Sequence, residues 1–132
     1  MKKTLNVVGA IFLKDGKIFY AKRGQAKNPE VAYKYEFVGG KVEAGETPEE
    51  ALLRELKEEM DLSAVVKKHF YTVTHEYSLY VVVLNVYLCE MLSDYKLKEH
   101  IEAGWIPVAD LDPTLWAPAD EDILNAVKDI KF

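Results

Sequence analysis

Apolar positions along the chain repeat with two different periods, and the changes of period mark out the elements. Thr4 to Leu13 is rich in Val, Ile and Phe, and the turn signal Lys14-Asp15-Gly16-Lys17 joins it to a second apolar run, Ile18 to Lys22. That pattern predicts a β-hairpin. Gly24 to Lys34 carries Gln, Asn, Pro and Lys without a period, as a surface loop does. Tyr35 to Val38 predicts a short aromatic strand that Gly39-Gly40 breaks. Val65 to Tyr77 and Leu79 to Met91 are rich in β-branched and aromatic residues and predict two long strands, with Trp105 to Val108 a shorter one.

Two segments change to the helical period. Thr47 suits an N-cap, Pro48 the first helical position, and Glu50 completes a capping box, so a helix is predicted from Pro48 to Met60. On a helical wheel Leu52, Leu53, Leu56 and Met60 form its apolar stripe. Asp120 to Ile130 sets Ile123, Leu124, Val127 and Ile130 at helical spacing and predicts a C-terminal helix. Strands with one helix between them and one at the end predict a mixed β-sheet flanked by helices, an α/β layered fold.

Length and charge narrow the function. The 132 residues suit a single domain, 1–132, and no stretch reaches the roughly 20 apolar residues that span a bilayer. Met1-Lys2-Lys3 resembles the start of a signal peptide, but Asn6 and the Lys14-Asp15-Gly16 turn interrupt any apolar core; a cytoplasmic location with no membrane partner is expected. Cys89 is the single cysteine, in an apolar strand, and reads as a small core residue. The net charge of −5 argues against a nucleic-acid polymer as partner, because backbone binding needs a basic patch. A small anionic substrate fits if a cation mediates.

The first helix supplies the residues for such a cation. Glu55, Glu58 and Glu59 stand at i, i+3 and i+4, so their side chains are neighbours, with Ala51 on the same side and Arg54 beside Glu58. Like charges at that spacing repel, each pair by roughly 0.2–0.5 kcal/mol, and anions near a helix C-terminus oppose its dipole. A plain solvated surface is the usual meaning of a charge run. Convergent carboxylates are also what Mg²⁺ requires, since it takes hard oxygen ligands and completes its shell with water and phosphate. In front of the helix, Gly39-Gly40-Lys41-Val42-Glu43-Ala44-Gly45-Glu46 is a loop whose glycines allow close backbone approach to a ligand.

Gly40, then five residues, Glu46, then seven residues, then Arg54-Glu55-Leu56-Lys57-Glu58-Glu59, with Leu62 after it, resembles the Nudix box GX5EX7REUXEEXGU over residues 40–62. One position departs: the second Gly of the pattern is Asp61 here, at the turn that ends the helix. The resemblance extends over most of the chain and looks closest to the MutT-like branch. It implies a Nudix-type α/β/α sandwich and a hydrolase that cleaves phosphoanhydride bonds. The expected reaction is Mg²⁺-dependent hydrolysis of a nucleoside triphosphate to monophosphate and pyrophosphate, with Mn²⁺ substituting. Dinucleoside polyphosphates or nucleotide sugars are rival substrates, and a catalytically silent nucleotide-sensing module is the rival class. The expected partner is the nucleotide alone, with a monomer or a homodimer left open.

By the same resemblance the divalent ions are held by Glu55, Glu58, Glu59, Glu99 and the carbonyl of Gly39. Glu55 or Glu99 acts as base, while Arg54 and Glu46 orient the acids. Arg23, Phe37, Gly39, Gly40, Lys41 and Asp120 contact substrate, Asp120 facing the base as an ionised acceptor. By residue type alone, Asp120 is an N-terminal cap of the last helix, Glu99 an exposed loop acid, and Glu46 an acid favoured beside a helix N-terminus. His69, His75 and His100 show no paired metal spacing, and Tyr71, Tyr77, Tyr80 and Tyr87 read as sheet packing.

Overall fold

The computed structural model describes residues 2–130. Its first strand, β1 (Lys3–Lys14), turns through Asp15 and Gly16, both at positive φ, into β2 (Lys17–Lys22), the predicted hairpin. Side chains of β1 alternate between two cores: Val8, Ala10 and Phe12 enter one, and Val7, Ile11 and Leu13 face the other. Further along, β5 (Ala64–Glu76) and β6 (Tyr80–Met91) form the long antiparallel pair, with β5 at the sheet edge. β6 runs parallel to β1 and alternates in the same way, Val82, Leu84 and Val86 to one core and Tyr87 and Cys89 to the other. β7 (Glu102–Pro107) pairs with β2, setting Trp105 opposite Phe19.

The aromatic segment before the glycines is two strands rather than one. β3 (Tyr35–Glu36) pairs with β2, whereas β4 (Val38–Lys41) crosses to β1, with Gly39 opposite Gly9 and Gly40 opposite Val8. The break expected at Gly39-Gly40 therefore falls at Phe37, and the glycines lie within a strand. Close approach explains their place there: a Cβ on Gly39 would overlap the Val8 carbonyl oxygen, and one on Gly40 the Glu55 carboxylate.

Helix α1 (Pro48–Met60) begins with the predicted capping box, Thr47 Oγ1 accepting from the Glu50 N–H at 3.1 Å and Glu50 Oε1 accepting from the Thr47 N–H at 2.9 Å. Leu52, Leu56 and Met60 are buried as expected. Leu53 is not: it is 41% exposed, and Ala51 completes the stripe instead. The helix packs on β4 and β1 with Ala51, Leu52, Leu56 and Met60 inward, which leaves Leu53 on the outer side. Asp61 ends the helix in the left-handed region at φ 51°, the conformation its place in the sequence requires.

Three single 3₁₀ turns, Val108–Asp110, Pro113–Leu115 and Pro118–Asp120, lead into α2 (Glu121–Lys128). Ile123, Leu124 and Val127 are fully buried, and Ile130, beyond the helix end, packs at the margin of the same core. Helix α1 covers the face of Val8, Ala10 and Phe12, and α2 the face of Ile11, Leu84 and Val86. The fold is an α/β/α sandwich around a mixed sheet. Among the described residues no helix is long and apolar enough to cross a membrane.

Candidate active site

Arg54 organises the polar end of the site. Its Nε and Nη2 donate to the two oxygens of Glu46 at 2.7 and 2.9 Å, a two-point contact that only a planar guanidinium makes. Nη1 reaches Glu55 at 2.9 Å and Glu58 at 3.1 Å, and Nη2 also donates to the Lys41 carbonyl at 3.0 Å. Glu46 in turn accepts from the Glu43 N–H at 2.9 Å, so the loop 42–47 closes onto the helix through one side chain. Hydrogen bonds from Arg54 hold the Glu46 carboxyl below its ordinary pKa and, with those to Glu55, raise that of Arg54.

Glu55 and Glu59 behave in the opposite way. Burial, opposed by Arg54 and reinforced by Glu58, pushes the Glu55 pKa up; burial and then the nearby Glu99 do the same for Glu59. Glu99 itself is exposed in the loop before β7. Half-desolvated carboxylates that raise one another's pKa are poor neighbours in the absence of a cation and suit a hard divalent ion in donor chemistry. Their present side-chain positions do not close a shell, since among the described residues no three ligating groups converge on one point. Arg54 instead draws Glu55 and Glu58 to itself.

A cavity of about 600 Å³ adjoins this acid face, with Gly39, Gly40 and Lys41 in its wall. From there it runs between Arg23, Glu36 and Phe37 to a deep end at Tyr77, Tyr80 and Asp120. The expected substrate residues Arg23, Phe37, Gly39, Gly40, Lys41 and Asp120 thus line one cavity, although they come from three separate stretches of sequence. A larger open cleft of about 970 Å³ around Phe12, Lys14 and Trp105 contains none of them.

Asp120 differs from its expectation in two respects. It makes no side-chain cap for α2, and its carboxyl is buried at 4% exposure with Oδ2 unpaired. Burial, assisted by the charge of Glu36, pushes its pKa well above the usual carboxylate range. That shift favours the protonated form, which both donates and accepts, over the ionised acceptor.

The NUDIX domain family matches residues 2–127. The chain belongs to the Nudix family. It is 32% identical over 129 residues to an 8-oxo-dGTP diphosphatase of Escherichia coli, covering 97% of this chain and 98% of that protein. To a CTP pyrophosphohydrolase of the same organism it is 33% identical over 125 residues, covering 94% and 91%. Among solved structures, a MutT protein of methicillin-resistant Staphylococcus aureus superposes with a TM-score of 0.74 at 39% identity, covering 97% of this chain and 98% of that one. The E. coli ORF135 protein superposes with a TM-score of 0.81 at 32% identity, covering 96% and 89%. The protein is a MutT-like Nudix hydrolase acting on phosphoanhydride bonds, and the silent-module reading falls.

Sequence reasoning missed several residues of this Nudix site. Glu36 accepts from Arg23 Nε at 2.6 Å and contacts His100 Nε2 at 2.9 Å, joining β3 to the loop that carries Glu99. His100, read as a loop residue, has a side chain only 7% exposed. Tyr77 and Tyr80, read as sheet packing, line the deep end of the cavity, and Tyr80 accepts from Asn28 Nδ2 at 3.0 Å. The Tyr35-Glu36 dipeptide directly before the box was the only available signal for Glu36; the others carry no local pattern. Cys89 is inert as expected, burial pushing its thiol up to about 12.

Proposed function

We propose that this Nudix domain hydrolyses a nucleoside triphosphate with a cytosine- or guanine-type base, oxidised and methylated forms included, to the monophosphate and pyrophosphate, with Mg²⁺ as cofactor and Mn²⁺ able to replace it. The observation that carries this reading is the junction at β4: Gly40 lines the cavity of about 600 Å³, and a Cβ there would overlap the Glu55 carboxylate on α1, so one molecule can span from a buried carboxyl to the acid face. The activities of the E. coli relatives, an 8-oxo-dGTP diphosphatase and a CTP pyrophosphohydrolase, support a triphosphate substrate.

Glu55, Glu58, Glu59, Glu99 and the Gly39 carbonyl are the groups that would hold the cation. When bound, such an ion screens the polyphosphate and acidifies a coordinated water. Arg54 keeps Glu46, Glu55 and Glu58 oriented. Glu55, beside the Gly40 wall of the cavity, receives the proton at its carboxylate; exposed Glu99 is the second candidate for that role. Lys41 and Arg23 supply positive charge along the wall for phosphate and sugar, Phe37 packs against the nucleoside, and Asp120 meets the base edge.

The test is hydrolysis of a panel of canonical, methylated and oxidised nucleoside triphosphates, with products identified, in Mg²⁺, in Mn²⁺ and in EDTA. Monophosphate and pyrophosphate should form only with metal, and only from some bases. Undiminished turnover in chelator, orthophosphate as the sole first product, or faster cleavage of dinucleoside polyphosphates or nucleotide sugars would overturn it.

A further inference from the structure

We infer that Tyr77 is a positioning residue for base selection, its hydroxyl fixing the backbone that aims Asp120 into the cavity. The inference rests on the reading of Asp120 as the group that meets the base. Asp120 forms no hydrogen bond through its side chain, and its Oδ2 is buried and unpaired. Without a hydrogen bond, that carboxyl is held by the packing around it and by the course of its own backbone.

Three contacts determine that course, one of them the Asp120 N–H donating to the Ala117 carbonyl at 2.9 Å. The Ala117 N–H donates to the Tyr35 carbonyl at 2.9 Å, fixing the start of the segment. The Ala119 N–H, directly before Asp120, donates to the Tyr77 hydroxyl at 3.0 Å, and both groups are buried. This backbone N–H has no helix to join, because Ala119 lies in an isolated 3₁₀ turn before α2. Its partner comes from the far end of β5, held rigidly: the Tyr77 ring is 3% exposed, lies 4.5 Å from His75 and 5.4 Å from Tyr80, and its N–H donates to the Tyr80 carbonyl at 2.8 Å. The same turn pins the opposite wall, Ser78 N–H donating to Glu30 Oε1 at 2.9 Å and Tyr80 accepting from Asn28. One short turn thus sets the distance between both walls and the orientation of the unpaired carboxyl.

Tyr77→Phe removes a single oxygen and keeps the ring. It should be compared with Asp120→Ala on the triphosphates of highest and lowest kcat/KM that share one sugar. The expected result is a fall of roughly fivefold to tenfold in the kcat/KM ratio of the two bases for Tyr77→Phe, carried by KM of the preferred substrate rather than by kcat. A larger fall is expected for Asp120→Ala. If Asp120→Ala collapses the ratio while folded Tyr77→Phe keeps it, the positioning role is wrong and the reading of Asp120 stands. If neither variant alters the ratio, the reading of Asp120 fails and the positioning role with it. Should Tyr77→Phe not fold, amide exchange at Ala119 in the unsubstituted protein decides: protection like that of the core strands, deepened by a bound nucleoside monophosphate, supports the contact, and exchange as fast as in exposed turns overturns it.

Discussion

Arg54 grips both oxygens of Glu46, at 2.7 and 2.9 Å, across the seven residues that lie between the two in the chain. The same guanidinium holds Glu55 and Glu58, so the loop and the acid face share one fastener. A lysine has no second parallel N–H and cannot make this contact. Arg54→Lys should lower kcat by about 10²-fold or more while the protein stays folded. Near-normal turnover would show that the acids need no such support.

The two glycines of β4 separate stability from activity. Gly39→Ala drives a methyl group into the Val8 carbonyl, which is backbone and cannot move aside, and should cost at least about 2 kcal/mol of stability. Gly40→Ala meets only the Glu55 carboxylate, the end of a flexible side chain. That variant should melt close to the unsubstituted protein yet lose about 10²-fold in kcat. Equal melting temperatures for both variants would contradict the placement of β4.

Buried Asp120 makes stability depend on pH. Its folded pKa lies above the unfolded value because of burial and the charge of Glu36, partly countered by Arg23, with Tyr77 the other titratable neighbour. Between those two pKa values the folded state binds more protons, so stability falls as pH rises through that window. Asp120→Asn cannot ionise and should flatten the decline, gaining melting temperature relative to the unsubstituted protein at pH 8 more than at pH 5. Parallel pH profiles for the two proteins would mean that Asp120 is already ionised.

Asp61 stands where the family pattern has Gly, and it has partners the sequence did not reveal. Its carboxylate lies 3.4 Å from Lys57 and 3.6 Å from Lys96, which hold its pKa below the ordinary value. Asp61→Gly relieves the left-handed backbone but loses both ion pairs. The variant should therefore gain melting temperature in about 1 M salt, where the pairs are screened, and gain less at low salt. A gain that ignores salt would show that the lysines contribute nothing.

Chelation and charge removal test the acid face directly. Glu58→Gln keeps shape and removes one anionic oxygen, and it should lower kcat at least about 10²-fold at saturating Mg²⁺. Without metal its melting temperature should change little, since relief of one like-charge repulsion is offset by the weakened ion pair with Arg54. Full activity in the variant would remove Glu58 from the ligand set.

By itself the sequence determined the features whose causes are local. The capping box at Thr47, the Gly-bearing turn at Asp15-Gly16, the left-handed Asp61 and the neighbouring Glu55, Glu58 and Glu59 all follow from residues a few positions apart, and each is found where the pattern put it. The box spacing was also enough to identify the family, because its loop and helix are contiguous. Tertiary structure decided the rest. Leu53 is as apolar as Leu52, yet the way α1 packs on the sheet buries Ala51, Leu52, Leu56 and Met60 and leaves Leu53 on the outer side. Asp120 suits a cap by residue type, yet the fold buries it with an unpaired oxygen and raises its pKa. His100, Glu36 and Arg23 meet, and Tyr77 reaches Ala119, through strands that lie far apart in the chain. Contacts of that kind depend on which elements pair and how closely they pack, quantities that no local periodicity encodes.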